Sequence, residues 1–409
     1  MKLLIENFYN IKHAELDFKK FNILIGPQAA GKSLIAKVMY LFEEIYTIQS
    51  SLNYSEDEFK KHLPKLDELF KSIFETQQLQ QDFSLFLSIC PDVGWKISTK
   101  GLQTLNINQI KKEKFPDEES IDLINQVREL FKKNKQEKGL QITNDSIEKI
   151  VDLAQSELSK YGSERHLFIP ASRSLVSIIA DNTFWLSSNN VELLLNRFGQ
   201  VYTKQLAYET ADKCSYSCPP LKSIIKGEII KTTPNKYIII NKDRKVTLSN
   251  ASSGQQSTIP ILIALNKLEN SAIQTTYIEE PEAHIFPDAQ NLLTRYIAEI
   301  HNQTGTNITL TTHSPYLLTT VNTLIYANTV ASQSEEKAAK VREIIPESEW
   351  LKAEDVAAYM VNEDGTVESI FDEEEGLIVA DAIDDISDVI GSKYNELLDI
   401  EFDEEEQDD

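Results

Sequence analysis

Near the start of the chain, Gly26-Pro27-Gln28-Ala29-Ala30-Gly31-Lys32-Ser33 sets two glycines, a lysine and a hydroxyl at fixed spacing. Glycines let a backbone curl until its N–H groups converge, an arrangement that cradles phosphate oxygens. The apolar run Phe21–Ile25 precedes the loop. Ile35, Val38, Met39, Phe42 and Ile45 follow at helical spacing. A strand, a glycine loop and a helix in that order form a P-loop, and the helix start adds its positive dipole end. In such a loop Lys32 reaches the β- and γ-phosphates of ATP, and Ser33 ligates Mg²⁺.

About 220 residues later comes Ala251-Ser252-Ser253-Gly254-Gln255-Gln256, then Tyr277-Ile278-Glu279-Glu280-Pro281-Glu282-Ala283-His284. An apolar strand ending in two carboxylates is the Walker B arrangement. Glu279 would hold the magnesium shell, a place usually taken by aspartate. Glu280 would orient and activate the attacking water. The apolar run Asn307–Thr311 ends in Thr312-His313-Ser314, where a histidine can touch the γ-phosphate and report its presence. Ser252, Ser253, Gly254 and Gln255 open a helix with small side chains and free N–H groups, which is an anion site. An ordinary N-capping turn explains the same residues without a ligand. Since the chain's own P-loop already serves its phosphates, a second phosphate reader makes sense if it faces the nucleotide of a neighbouring copy.

Other residues carry less. Arg173, in Ile169-Pro-Ala-Ser-Arg-Ser174, could face phosphates, a partner or a carboxylate. Lys111, Lys112, Lys114, Lys132, Lys133, Lys135 and Lys138 could meet nucleic acid or simply form a solvated helical face. Cys90, Cys214 and Cys218 lack a second ligand pair at zinc-like spacing and read as reduced structural thiols.

The elements that position these motifs divide the 409 residues. Residues 1–50 form the first half of a nucleotide-binding head and 161–330 the second. Between them, 51–160 reads as a mostly helical insertion, with helical periodicity over Leu79–Cys90 and a two-stranded interruption at Gly94–Ile107. A hairpin is expected over Lys226–Leu248. Residues 331–398 read as a small acidic lobe with a hairpin at Asn362–Gly365 and a helix near Val379–Leu398, and 399–409 as a disordered acidic tail. From Glu354 onward there are 22 acidic residues against one basic residue, Lys393, which leaves only −2 of the net charge of −23 on the preceding 353 residues. The acidity thus belongs to the tail, and the body can still carry basic patches. No apolar stretch is long enough to span a membrane. Glu6 breaks the N-terminal apolar run before it resembles a secretory leader, so a cytoplasmic protein without membrane partners is expected.

Together these motifs resemble the ABC-type ATPase heads of the SMC and RecF class, and more closely the OLD-like AAA-type ATPases of bacteria. The resemblance rests on Ile5-Glu-Asn-Phe8, Phe18 and Phe21–Pro27, on Ser-Ser-Gly-Gln-Gln, on Ile-Glu-Glu-Pro-Glu-Ala-His-Ile-Phe-Pro, on Thr-Thr-His-Ser-Pro-Tyr-Leu and on Ile-Pro-Ala-Ser-Arg-Ser. It covers roughly residues 1–50 and 165–330. It implies an α/β fold, a head with a mixed sheet around a P-loop core, and a homodimer or higher homo-oligomer sandwiching ATP and Mg²⁺. It also implies a place in anti-phage defence beside Septu-like, PARIS-like and retron-associated ATPases, with a separately encoded effector, a nuclease or toxin. OLD nucleases append a Toprim domain; the 96 residues after His313 show no strand-ending Glu with a later Asp-x-Asp, so no nuclease in cis is expected. Two departures stand out: Glu279 replaces aspartate, which favours slow hydrolysis, and Ala30 takes a place often held by Ser or Gly. The alternative is a RecF-like DNA-repair ATPase. A transporter subunit fits less well, because the insertion and tail have no role at a membrane.

Overall fold

The computed structural model describes residues 1–51, 69–74, 82–90, 93–98, 101–106, 165–179, 192–208, 215–216, 219–233, 236–241, 244–268, 271 and 273–379. Along it run strands β1 (Lys2–Phe8), β2 (Ile11–Asp17) and β3 (Phe21–Ile25), helix α1 (Lys32–Ser51), and strands β4 (Ser84–Cys90), β5 (Val93–Ser98), β6 (Gly101–Asn106) and β7 (His166–Ile169). Helices α2 (Ser174–Ile179) and α3 (Leu193–Tyr208), strand β8 (Ser215–Tyr216) and helix α4 (Pro219–Ile225) come next. They lead into β9 (Glu228–Thr233), β10 (Lys236–Asn241), β11 (Arg244–Thr247), α5 (Ser253–Leu268), β12 (Thr275–Glu279), α6 (Pro287–Thr304), β13 (Asn307–Thr312) and α7 (Pro315–Ala331). The described chain closes with α8 (Glu335–Arg342), β14 (Val356–Val361), β15 (Val367–Ser369), β16 (Phe371–Asp372) and β17 (Leu377–Ile378).

Alternation along the central strands explains the layers. Phe21, Ile23 and Ile25 of β3 face one apolar core, while Leu24 faces a second. In β14, Val356, Ala358 and Met360 face the first, and Ala357, Tyr359 and Val361 the second. A strand buried on both faces reads as an unbroken apolar run, as parallel strands between two layers do. These strands form a six-stranded sheet ordered β15-β14-β3-β13-β12-β7. All neighbours are parallel except the β14–β15 pair. The mixed-sheet α/β head expected from the sequence is therefore the fold observed. The first core packs helices α3 to α7 with the sheet β11-β10-β9-β8, and the second packs α1 with the sheet β2-β1-β4-β5-β6. Among the described residues no helix is long and apolar enough to cross a membrane.

Three expectations change. The helix expected over Leu79–Cys90 gives way at Ser84–Cys90 to a strand between β1 and β5. Its consecutive Leu85, Phe86 and Leu87 are all buried, which two covered strand faces explain and one helical stripe does not. The described start of the 51–160 insertion, β4 to β6, therefore extends the N-terminal sheet. The described part of the expected 331–398 lobe, residues 331–379, is not separate from the head either, because β14 lies in the central sheet directly beside the P-loop strand. Its six residues are all buried, so this acidic region carries a core strand. The hairpin over Lys226–Leu248 gains a third strand, β11, antiparallel to β10. The lysine runs at 111–138, Cys214, Cys218, the helix expected to Leu398 and the tail 399–409 lie outside the described residues.

Candidate functional site

Strand order brings the motifs together. β3, β13 and β12 are consecutive and parallel, so the loops after Ile25, Thr312 and Glu279 leave the same edge of the sheet. Ligand sites of open α/β sheets form at such carboxyl ends. Gly26 begins its loop at φ 151°, and a Cβ there would stand 2.2 Å from the Val361 carbonyl of β14, so only glycine fits. Pro27, Gln28 and Ala29 are exposed, and Ala30 is buried. Ala29 adopts φ 63°, and Asn10, from the β1–β2 turn, donates to its carbonyl at 2.8 Å. Gly31, Lys32 and Ser33 lead into α1, with Ile35 N–H bonded to the Gly31 carbonyl.

Lys32 is 5 % exposed and folds back on its own loop. Its Nζ donates to the carbonyls of Gly26 and Pro27 at 2.8 and 2.7 Å. Burial pulls its pKa down to about 8 against the opposing charges of Glu280 and Glu282. Nζ also lies 3.3 Å from Nδ1 of His313, whose Nε2 is 3.1 Å from Glu280 Oε1. An ammonium only donates, so Nδ1 accepts and Nε2 carries the hydrogen given to Glu280. The three candidate catalytic residues thus form one continuous chain.

Glu280 is held in an uncommon backbone state, φ 42°. Such residues cost about 1–3 kcal/mol and persist where surroundings over-determine them. Here the Glu280 N–H donates to the Thr311 carbonyl at 2.8 Å. Arg173 Nη2 donates to the Glu280 carbonyl at 2.7 Å. The preceding Glu279 is buried; its Oε2 accepts the Ala171 N–H at 2.9 Å, while Oε1 has no partner among the described residues. That orphaned oxygen suits a cation. No three His, Cys, Asp or Glu side chains among the described residues gather as a metal cage. A cation there would rely on one or two protein oxygens together with water and phosphate, which is how Mg²⁺ is usually bound.

Sequence reasoning missed Glu282. Its Oε1 accepts from Thr312 Oγ1 and from the His313 N–H, both at 2.7 Å, and so fixes the histidine's backbone. Its place inside the acidic motif was the available signal. Asn10 had none.

The second segment behaves first as a cap. Ser252 Oγ accepts the Gln255 N–H, and Gln255 Oε1 accepts the Ser252 N–H, both at 3.3 Å: a reciprocal capping box. Gln255 Nε2 also donates to the Ile225 carbonyl. Ser253 is exposed, and a Cβ on Gly254 would come within 2.6 Å of the His284 carbonyl, so the helix start lies directly against the Walker B loop. No hydrogen bond among the described residues joins Ser252–Gln255 to Gly26–Ser33 in the same chain.

Arg173 corrects a sequence expectation that left it facing phosphate, partner or carboxylate. It is fully buried and serves backbone carbonyls: Nε to Ser257 at 2.9 Å, Nη1 to Pro170 at 3.2 Å and to Glu279 at 2.6 Å, Nη2 to Glu280. Burial lowers its pKa to about 10, against the pull of Glu282, Glu279 and Glu280, so the guanidinium stays charged at neutral pH.

A family model described as an AAA ATPase domain matches residues 40–318. The chain belongs to the AAA ATPase domain family. The match takes in Ser252–Gln255, Glu279–Glu282 and His313, and begins within α1, just after the P-loop. No curated protein sequence matches this ATPase domain protein. Among solved structures, an SMC head domain from Thermotoga maritima is 9 % identical, with 78 % of this chain and 90 % of that one covered and a TM-score of 0.36. An Smc head domain with an extended coiled coil, bound to the C-terminal domain of ScpA derived from Pyrococcus furiosus, is 10 % identical, with 95 % and 98 % covered and a TM-score of 0.36.

Proposed function

We propose that this protein hydrolyses ATP between two head-to-tail copies, and that it is the sensor, regulatory or scaffold subunit of a bacterial anti-phage defence system controlling a separate effector. The observation that carries the first half is the chain Lys32–His313–Glu280 at the ends of three adjacent parallel strands. The Gly26 and Pro27 carbonyls that Lys32 now holds stand where phosphate oxygens would take over. Mg²⁺, held by Ser33 and Glu279, would neutralise phosphate charge. Glu280 orients the water. The imidazole that now donates to Glu280 is placed to donate to the γ-phosphate instead, which frees the carboxylate to act as base. That no hydrogen bond among the described residues ties Ser252–Gln255 to the P-loop of the same chain leaves the signature available to the partner's nucleotide.

A complementation experiment tests the sandwich. Lys32→Ala and Ser253→Arg each abolish turnover alone. In a mixed dimer both lesions fall on one site and leave the other intact, so mixing restores activity. A mixture that neither turns over nor forms a dimer with one ATP bound at the intact site removes the head-to-tail reading. The defence role rests on the likeness of the motifs to the OLD-like group. Co-expression with neighbouring genes should yield a stable complex with a nuclease or toxin. DNA binding by the isolated protein that weakens steeply with salt would favour the RecF-like role instead.

A further inference from the structure

Arg173 occupies a junction that the hydrolytic reading does not use. It is fully buried, yet none of its four hydrogen bonds goes to a side chain. Two hold the carbonyls of Glu279 and Glu280, the turn where the catalytic carboxylate sits at φ 42°. A third holds the carbonyl of Ser257, in the second turn of α5, the helix opened by Ser253. One of the two acceptors on α5 has a sequence cause. Pro260 lies inside that helix and has no N–H for the carbonyl four residues earlier, that of Gln256. Ser177 Oγ takes that carbonyl at 2.7 Å, and Arg173 takes the next one. Charged donors to buried carbonyls make short, stiff bonds.

We propose that Arg173 is a positioning residue that couples the signature helix to the catalytic carboxylate of its own chain. This rests on the sandwich reading: the signature touches the partner's nucleotide, so a shift of α5 on ATP binding at one site re-aims Glu280 at the other. The two sites then work cooperatively, and Arg173 is the link.

Steady-state ATPase rates across ATP concentration test this, with ATP affinity measured separately by a fluorescent analogue. The wild type is expected to show a Hill coefficient above one. Arg173→Lys keeps the charge and loses the fork. It should lower turnover by up to about a hundredfold, the cost of a misplacement of about 1 Å. It should also bring the Hill coefficient to one and keep ATP affinity within about twofold. Ser177→Ala, a milder cut of the same junction, should reduce the Hill coefficient with turnover near wild type. A folded Arg173→Lys protein with unchanged turnover and Hill coefficient overturns the proposal, as does loss of ATP affinity in step with turnover. If Arg173→Lys does not fold, an unchanged Hill coefficient in Ser177→Ala overturns it. A monomeric wild type with a Hill coefficient of one sinks the sandwich beneath it. In that case loss of turnover at constant affinity still marks Arg173 as positioning Glu280.

Discussion

Lys32 Nζ lies 3.3 Å from Nδ1 of His313, so the P-loop lysine and the strand-end histidine share a hydrogen. The ammonium is lowered to about 8 by burial, and phosphate partners would restore its charge. ATP binding above pH 8 is therefore expected to take up a proton, and affinity should stay level below about pH 8 and weaken above it. Without nucleotide the sign reverses. Between about 8 and the ordinary 10.5 the folded state holds fewer protons than the unfolded chain, so through this group stability rises with pH across that window. Titration calorimetry at pH 9 in buffers of different ionisation enthalpy reads the uptake directly, and a null result there contradicts the assignment. Lys32→Ala should weaken ATP binding about 10- to 100-fold or more, the loss expected for charged hydrogen bonds.

Glu280→Gln keeps the shape of the side chain and removes the base. Turnover should fall by roughly 10²–10⁴-fold, the usual weight of general base catalysis. The variant should accumulate as a dimer with ATP bound. Light scattering with and without saturating Mg-ATP decides, and a variant that stays monomeric argues against the sandwich.

Gly254→Ala tests the contact between the signature and the Walker B loop. The added Cβ would stand 2.6 Å from the His284 carbonyl, a backbone atom that cannot swing aside. Overpacking of this kind costs about 1–3 kcal/mol, here paired with lower turnover and an unaffected P-loop. Nucleotide affinity in line with wild type and reduced phosphate release is the expected pair of results.

Behind the P-loop helix lies a buried polar knot. Glu43 Oε1 accepts from Thr275 Oγ1 at 2.9 Å and Oε2 from the Tyr277 hydroxyl at 2.8 Å, while His166 Nδ1 lies 3.1 Å away. His166 Nε2 sits 2.9 Å from Thr47 Oγ1. Burial, then Glu43, drives the Tyr277 pKa well up, so its hydroxyl stays a donor. Glu43→Ala strands the Thr275 and Tyr277 hydroxyls and should destabilise the protein by about 1–3 kcal/mol for each. Chemical denaturation measures this, and a loss below about 1 kcal/mol would mean the knot is solvated.

The candidate site motifs were legible because each is short, local and held to fixed spacing by backbone geometry. The P-loop, the Glu279–Glu280 strand end and His313 fall where their flanking apolar runs placed them. What escaped reading was non-local. Nothing local tells Val356–Val361 to enter the central sheet rather than cap a lobe, because its partner β3 lies at the other end of the sequence. Before burial is known, the apolar types of Leu85, Phe86 and Leu87 alone do not separate helix from strand; it is the pairing with β1 that covers both faces. Arg173 was left open between phosphates, a partner and a carboxylate, yet its partners are backbone carbonyls, which carry no side-chain signature.

The place of β14 also sets a schedule. Phe21 and its register partner Val356 are 335 residues apart. At about 5–20 residues per second of synthesis, the first waits roughly 20 to 70 seconds for the second. Until then one edge of the P-loop strand is open, and Gly26 lacks the Val361 backbone it packs against. A growing chain thus carries an incomplete central sheet beside the P-loop until Val356–Val361, close to its acidic end, has been made.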